Sequence, residues 1–200
     1  PSEHVYGLIP GSLRTIAWCD ARYICLMPPT LPFELIVTLP VGWTTVHYCL
    51  CELRIRSEHS TLVHAASGGV GLISLEWARR VGAVMYSTAG GVSKHALLHL
   101  HGISRVTSSR NGPACGAHLP QISRGRRLHT LLNALSGDFI SLSFSLLSEH
   151  GAFSEIGKND TWSWSRSCAS RLTVDYVACA VDDGCRNCSG WNLDPWWFHG

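Results

Sequence analysis

The chain reads as an α/β protein built on a doubly wound parallel sheet, with a partial β-rich segment ahead of it. Two observations predict this. In the stretch 61–83 a buried apolar run, Thr61-Leu62-Val63-His64-Ala65, passes through a cluster of small residues into a helical pattern. There Val70, Ile73, Trp77, Ala78 and Val81 recur at helical spacing, with Arg79 and Arg80 facing out. After it, strand-like and helix-like stretches alternate to about residue 156, the pattern of a parallel sheet covered by helices on both faces.

Taken in order, Val5-Tyr6-Gly7-Leu8-Ile9 and Tyr23-Ile24-Cys25-Leu26 are short apolar stretches punctuated by Pro10-Gly11, an all-β segment too short to be a domain. Pro28, Pro29 and Pro32 mark a linker, and helices are expected over 33–39 and 41–53, broken at Pro40. Then come strand 61–65, a helix from Gly69, strand 83–87, helix 93–101, strand 105–108 and a weaker helix ended near Pro120. Strand 128–132, helix 139–148 and strand 152–156 follow, and a run over 174–181 ends in Asp182-Asp183-Gly184. No internal repeat or low-complexity segment interrupts them.

The chemistry-bearing turn is Ala66-Ser67-Gly68-Gly69-Val70-Gly71, which fits the dinucleotide motif G-x-G-x-x-G with alanine in first place. Ala66 is expected to permit the tight turn, Gly68 to let the backbone approach a pyrophosphate, and Gly71 to let the helix pack on its strand; the helix N-terminus offers N–H groups to the anion. The sheet is therefore read as Rossmann-like. About 20 residues after the motif begins, an NAD site would place an acidic residue on the ribose 2′-OH. Here the chain reads Ser87-Thr88-Ala89-Gly90-Gly91 followed by Lys94. Hydroxyls and a cation suit a 2′-phosphate, hence NADPH; the same residues also read as an ordinary polar turn with a solvated lysine. Functional groups are expected at strand C-terminal ends: Ala65-Ala66, Ser87-Thr88, Ser108-Ser109-Arg110, Asn133-Ala134-Leu135 and Gly157-Lys158. The chain's two lysines, Lys94 and Lys158, both fall at such ends or just after them.

Composition narrows the classes. Two hundred residues, 46% hydrophobic and 15% charged, bury a sizeable core, and no uncharged run is long enough to span a membrane. A net charge of +2 with scattered arginines argues against a nucleic-acid surface; Arg124, Arg126 and Arg127 form a basic knot read as a solvated loop. Nine cysteines, spread out and odd in number, point to reduced thiols and a cytoplasmic setting. Cys185 and Cys188 form an isolated C-x-x-C, and His99 and His101 point apart on a helix, so no metal site is expected. The chain begins at Pro1 and stops on apolar residues, and is expected to come from something longer.

Several stretches together resemble one family. Val5-Tyr6-Gly7-Leu8-Ile9-Pro10-Gly11, Leu39-Pro40-Val41-Gly42-Trp43-Thr44-Thr45-Val46-His47-Tyr48, LVHAASGGVG, Thr107-Ser108-Ser109-Arg110, LLNALSGDFI and LLSEHGAFSEIGKND are similar to motifs of the enoyl reductase domains of type I polyketide and fatty acid synthases, in the medium-chain dehydrogenase/reductase superfamily. The resemblance implies a remnant of a GroES-like substrate domain and linker over 1–40, an NADPH-binding Rossmann-like domain over 41–184, and a return to the substrate domain or a tail over 185–200. It implies Thr45 near the nicotinamide and Ala66, Ser67, Gly68, Gly69, Val70 and Gly71 at the pyrophosphate. Ser87, Thr88, Lys94 and Arg110 would surround the 2′-phosphate, Asn133, Ala134 and Leu135 would flank the nicotinamide ribose, and Ser109 and Gly157 would also bind the cofactor. It implies hydride transfer from NADPH to a trans-2-enoyl thioester on an acyl carrier protein, neighbouring synthase domains as partners, Lys158 of an "E-x-G-K-x-D" motif acting on the enolate, and Asp182 as its partner, with Asp183 as a competing candidate. The chain departs from the family at Trp43 and His47, in the aromatic stretch 161–164 and over 185–197, and it lacks the earlier part of the substrate domain.

Rival readings are a quinone or enone oxidoreductase of the same superfamily, which generally lacks the lysine that Lys158 supplies, and a nucleotide-binding module without turnover. Short-chain reductase chemistry is excluded, because Gly90 and Ser154 stand where its Tyr-x-x-x-Lys needs tyrosine. A P-loop over 151–158 is excluded because five residues separate Gly151 and Gly157, and Asn159 stands where a hydroxyl is needed.

Overall fold

A computed structural model describes residues 3–9, 11–170 and 173–179. It opens with a two-stranded antiparallel pair, β1 (Val5–Gly7) and β2 (Ile24–Leu26), with Tyr6 opposite Cys25. A short helix α1 (Phe33–Ile36) and the longer α2 (Leu39–Glu52) follow. Pro40 begins α2 rather than breaking it. In the first turn of a helix its missing N–H has no intrahelical partner to lose, so the break falls just before Leu39.

The body of the chain alternates as expected: β3 (Ser60–Val63), α3 (Gly69–Val81), β4 (Val84–Ala89), α4 (Val92–Leu100), β5 (Val106–Ser108), α5 (Gly112–Ile122), β6 (Leu128–Asn133), α6 (Asp138–Leu146), β7 (Leu147–Glu155), α7 (Trp164–Ser170) and β8 (Asp175–Ala178). The six strands from β3 to β8 form one parallel sheet in the order β5-β4-β3-β6-β7-β8. The strand order reverses between β3 and β6, and the crevice at the carboxyl ends of those two strands is where such sheets take ligands. Two of the boundaries that differ from the sequence reading flank β6. Pro120 lies inside α5, close enough to its end that two further residues complete the helix. Strand β7 starts five residues earlier than expected, because Leu147 pairs with Leu128 before the register shifts and resumes at Thr130 and Ala152.

Consecutive strand residues supply opposite faces of the sheet. Leu62, Leu131 and Phe153 pack with Cys115 and Leu119 of α5 and Ile140 and Phe144 of α6. Val63 and Leu132 pack on the other side with Leu75 of α3, Leu98 of α4 and Cys49 of α2. Helix α3 has a second apolar stripe, Val70, Ile73 and Trp77, which carries Val46, Leu50 and Leu53 of α2. That double burden explains why its helical periodicity is so legible.

Gly71 fixes the depth at which α3 sits. A Cβ there would stand 2.6 Å from Ala66 Cα and 2.7 Å from the Ala66 carbonyl carbon and oxygen. These are backbone atoms, with no rotamer to move. Gly69, one residue into the helix, faces open space. We expect Gly71→Val to lower stability by about 1–3 kcal/mol, the usual cost of overpacking, and Gly69→Ala to stay within about 0.5 kcal/mol of wild type. Urea unfolding of the two variants checks this, and equal losses would contradict the packing role of Gly71.

Candidate nucleotide-binding cleft

The turn between β3 and α3 is tighter, and one residue earlier, than the motif alone indicates. Ala65, not Ala66, takes the left-handed conformation, at φ 49°. Its N–H donates to Thr88 Oγ1 (3.1 Å), and the next N–H, of Ala66, donates to the Thr88 carbonyl (2.9 Å), so the turn is pinned to β4. Ala66 itself is fully buried against α3. Gly68 is the N-cap of α3 and no side chain caps the helix, so its first-turn N–H groups are not taken by a side-chain cap. Helix α4 likewise starts behind a glycine, Gly91 (φ 94°), without a side-chain cap.

Between these two helix starts lies a cleft of about 260 Å³ lined by Ala65, Ser67, Gly68, Gly90, Lys94, Ser109, Arg110 and Leu135. It collects six of the residues singled out from sequence: Ser67, Gly68, Lys94, Ser109, Arg110 and Leu135. Among the described residues no carboxylate lines it, and Lys94 and Arg110 bring two positive charges. Gly90 makes room for the arginine: a Cβ there would stand 2.6 Å from Arg110 Nε and 3.3 Å from Ser109 Oγ. Sequence reasoning noted Gly90 only as part of a polar turn, and its signal was the glycine pair that ends the β4 run.

Other expected residues lie elsewhere. Ser87 and Thr88 do not reach the cleft. Strand β4 runs on to Ala89, two residues past its expected end, which puts both hydroxyls inside the sheet, fully buried. Thr88 Oγ1 bonds His64 Nδ1 (3.0 Å), and Ser87 Oγ faces the Arg105 carbonyl at 3.5 Å. Thr45 lies on α2 and donates its hydroxyl to the Val41 carbonyl (2.7 Å). Gly69 is exposed at the start of α3, Val70 packs toward α2, and Gly71 is buried. Ala134 and Gly157 are half-buried in the loops after β6 and β7, and Lys158 is exposed just beyond. Lys158 and Asp160 form no ion pair; among the described residues such pairs join Arg22 to Asp20 and Arg80 to Glu76. Asp182, Asp183, Cys185 and Cys188 lie outside the described residues. Arg124, Arg126 and Arg127 are exposed as expected of a loop, and the Arg127 guanidinium donates to the Ser145 carbonyl.

Two buried polar groups escaped the sequence reading. His64 sits in the core, bonded through Nδ1 to Thr88 and through Nε2 to Ser143 Oγ (2.8 Å), and burial pushes it down to about 3. Glu155, at the end of β7, is 1% exposed and faces Asn133 across the β6–β7 pair. Its carboxylate accepts from Asn133 Nδ2 (2.7 Å) and from the Gly157 N–H (2.7 Å). Both bonds favour the ionised form, but burial outweighs them and pushes the carboxyl up to about 7. The available signal was the acidic letter that opens the E-x-G-K-x-D stretch directly after Phe153 and Ser154.

No protein-family model matches the chain. Over 163 residues it is 36% identical to erythronolide synthase EryA2 of Saccharopolyspora erythraea, which covers 80% of this chain and 4% of that protein. It is 33% identical over 184 residues to highly-reducing polyketide synthase 1 of Aureobasidium melanogenum, 90% of this chain and 8% of that one. Among solved structures it matches the CurK enoyl reductase with a TM-score of 0.85 and 28% identity, covering 91% of this chain and 56% of that chain. Fold and turn define a Rossmann-like chain of the medium-chain dehydrogenase/reductase superfamily. Within it, the chain is a homologue of the enoyl reductase domains of polyketide synthases. It spans under a tenth of the length of these curated relatives, 4% and 8%. No described helix is long and apolar enough to cross a membrane.

His64 and Glu155 pull stability in opposite directions with pH. The folded-state pKa of His64, about 3, lies below the ordinary 6.5, so its contribution is present above pH 6.5 and lost on acidification, as the unfolded chain takes up the proton. The folded-state pKa of Glu155, about 7, lies above the ordinary 4.5, so its contribution is present below pH 4.5 and lost as pH rises through 7. Glu155→Gln removes only the second slope. We expect the wild-type urea midpoint to fall relative to that of this variant from about pH 5 to about pH 8. A wild-type midpoint that holds constant or rises relative to the variant contradicts the assignment.

Proposed function

We propose that the chain is the nucleotide-binding part of an NADPH-dependent enoyl reductase, which reduces a trans-2-enoyl thioester carried on an acyl carrier protein beside other synthase domains. The observation that carries the reading is the cleft at the strand-order reversal. It pairs the N-terminus of α3 with Lys94 and Arg110 and, among the described residues, has no acidic wall. An anion of pyrophosphate type fits the first-turn N–H groups beyond Gly68, and an extra phosphate fits the two cations. An NAD site would need a carboxylate at the end of β4 to hold the ribose hydroxyl, and Gly90 and Gly91 stand there instead. The homology to enoyl reductase domains supports the same reaction.

When bound, NADPH supplies a hydride to the β-carbon of the enoyl group. The residues of this chain do the rest of the work assigned to it. Ser67, Gly68 and the α3 N-terminus hold the phosphates, while Arg110, given room by Gly90, and Lys94 select the phosphorylated ribose. Leu135 excludes water from one side. Lys158, at the C-terminal edge of β7, offers an ammonium to the negative charge that develops on the thioester oxygen, and a proton for the α-carbon. Asp182 remains the proposed partner of that lysine, and residues 1–40 and 185–200 remain the proposed substrate-domain segments.

A charged contact to phosphate contributes about 1.5–3 kcal/mol, so Lys94→Ala and Arg110→Ala should each weaken NADPH binding by about tenfold or more while leaving NADH binding within about twofold. Fluorescence titration of both nucleotides reads this, and equal wild-type affinity for the two would overturn the 2′-phosphate assignment. Lys158→Ala should lower kcat on an enoyl thioester by about 10²-fold with little change in NADPH affinity. An unchanged kcat, with a deuteride isotope effect showing hydride transfer to be rate-limiting, would move the proton donor elsewhere.

A further inference from the structure

We propose that Glu155 is a positioning residue for Lys158: its buried carboxylate ties the turn that carries the lysine to the loop after β6 that walls the cleft. The inference rests on the functional reading above, in which Lys158 acts on the substrate.

Lys158 is exposed, and no side-chain bond among the described residues holds it. What is held is the backbone one residue earlier. Glu155 and Asn133 are register partners at the ends of β7 and β6, 1% and 0% exposed. Glu155 Oε1 accepts the Gly157 N–H at 2.7 Å, so the residue before the lysine is anchored to a side chain inside the sheet. Oε2 accepts Asn133 Nδ2 at 2.7 Å, and the same amide brackets Leu135, donating to its carbonyl (2.6 Å) and accepting its N–H (3.2 Å). Leu135 lines the cleft. One carboxylate thus joins the lysine turn to the cleft wall.

The network also fixes which side chain works there. The two bonds between Asn133 and the Leu135 backbone settle the orientation of the amide, because a flip would face donor to donor and acceptor to acceptor. Asn133 therefore presents a donor to Glu155, and Gly157 presents another. A carboxylate accepts from both. A glutamine accepts from one and turns its own NH₂ against the other, leaving a buried donor unpaired. Gly157 shares in the arrangement: a Cβ there would stand 2.7 Å from Glu155 Oε1, so even alanine displaces the carboxylate or the turn. The main chain of Glu155 keeps its place independently, since its carbonyl accepts the Cys179 N–H (2.7 Å) and the Asn133 carbonyl accepts the Ile156 N–H (2.9 Å).

A small misplacement of an acting group costs up to about 10²-fold in rate. The test is a double-mutant cycle on kcat, with NADPH and a short trans-2-enoyl thioester both saturating. Glu155→Gln should lower kcat by about tenfold or more and change NADPH affinity far less. In the Lys158→Ala background the same substitution should cost nothing further, because the group it positions is gone. Gly157→Ala, which leaves the buried pair chemically intact, should show the same pattern and decides the matter if Glu155→Gln fails to fold. The inference is overturned if the two losses multiply, or if Lys158→Ala is impaired while the Glu155 and Gly157 variants turn over at the wild-type rate. If Lys158→Ala itself leaves kcat unchanged, the functional reading of Lys158 fails first, and the positioning role goes with it.

Discussion

The constraint on which the nucleotide-binding half of the fold depends is the contact between Gly71 and the backbone of Ala66. With 2.6 Å between a would-be Cβ and Ala66 Cα, α3 is pressed onto the end of β3 as far as backbone permits. Much else follows from that depth. It brings the uncapped start of α3 down beside the end of β4, and it lets α3 carry α2 on its outer stripe while still covering Val63 on its inner one. It also imposes the left-handed turn at Ala65, whose strain is offset by the bonds that Ala65 and Ala66 make to Thr88.

The polar groups around this turn divide by burial. Those inside the sheet, His64 with Thr88 and Ser143 and Glu155 with Asn133, are bonded to one another and shape the strand ends. Those outside, Lys94, Ser109 and Arg110, stay accessible in the cleft. Gly90 stands at the boundary, where removing one Cβ lets an arginine lie against the end of β4. A site for a doubly charged phosphate needs this division. Cations near solvent are free to meet an incoming anion, while the bonded sheet behind them holds the strand ends in place.

Most of the fold was legible because each strand–helix unit carries its own signal: an apolar run, small turn residues and a 3.6-residue stripe. The glycine turn and the strand C-terminal ends pointed to the edge where Ser67, Gly68, Lys94, Ser109, Arg110 and Leu135 come together. What stayed hidden depends on partners far along the chain. Ser87 and Thr88 read as hydroxyls at the open end of β4 because its apolar run ends at Tyr86. Pairing with β5 extends the strand through Ala89, and Thr88 then serves His64, 24 residues away. The left-handed residue proved to be Ala65 because β3 stops at Val63, one of the end effects that periodicity does not resolve. Asn133 reads as a residue of the nucleotide site and Glu155 as a letter of the lysine motif, with nothing to connect the two. Only the β6–β7 register makes them a pair.

The account stands on the claim that the edge where β3 gives way to α3 and β4 to α4 takes a phosphorylated dinucleotide. Its most direct test is an amide chemical-shift titration of the protein with NADPH. The account predicts that the largest shifts fall at Gly68, Gly69, Gly90, Ser109 and Arg110, with the opposite edge of the sheet, around Ser60 and His129, unmoved. Shifts concentrated at that opposite edge, where Ser60, Arg126, Arg127 and His129 line a second cleft of about 280 Å³, would contradict it.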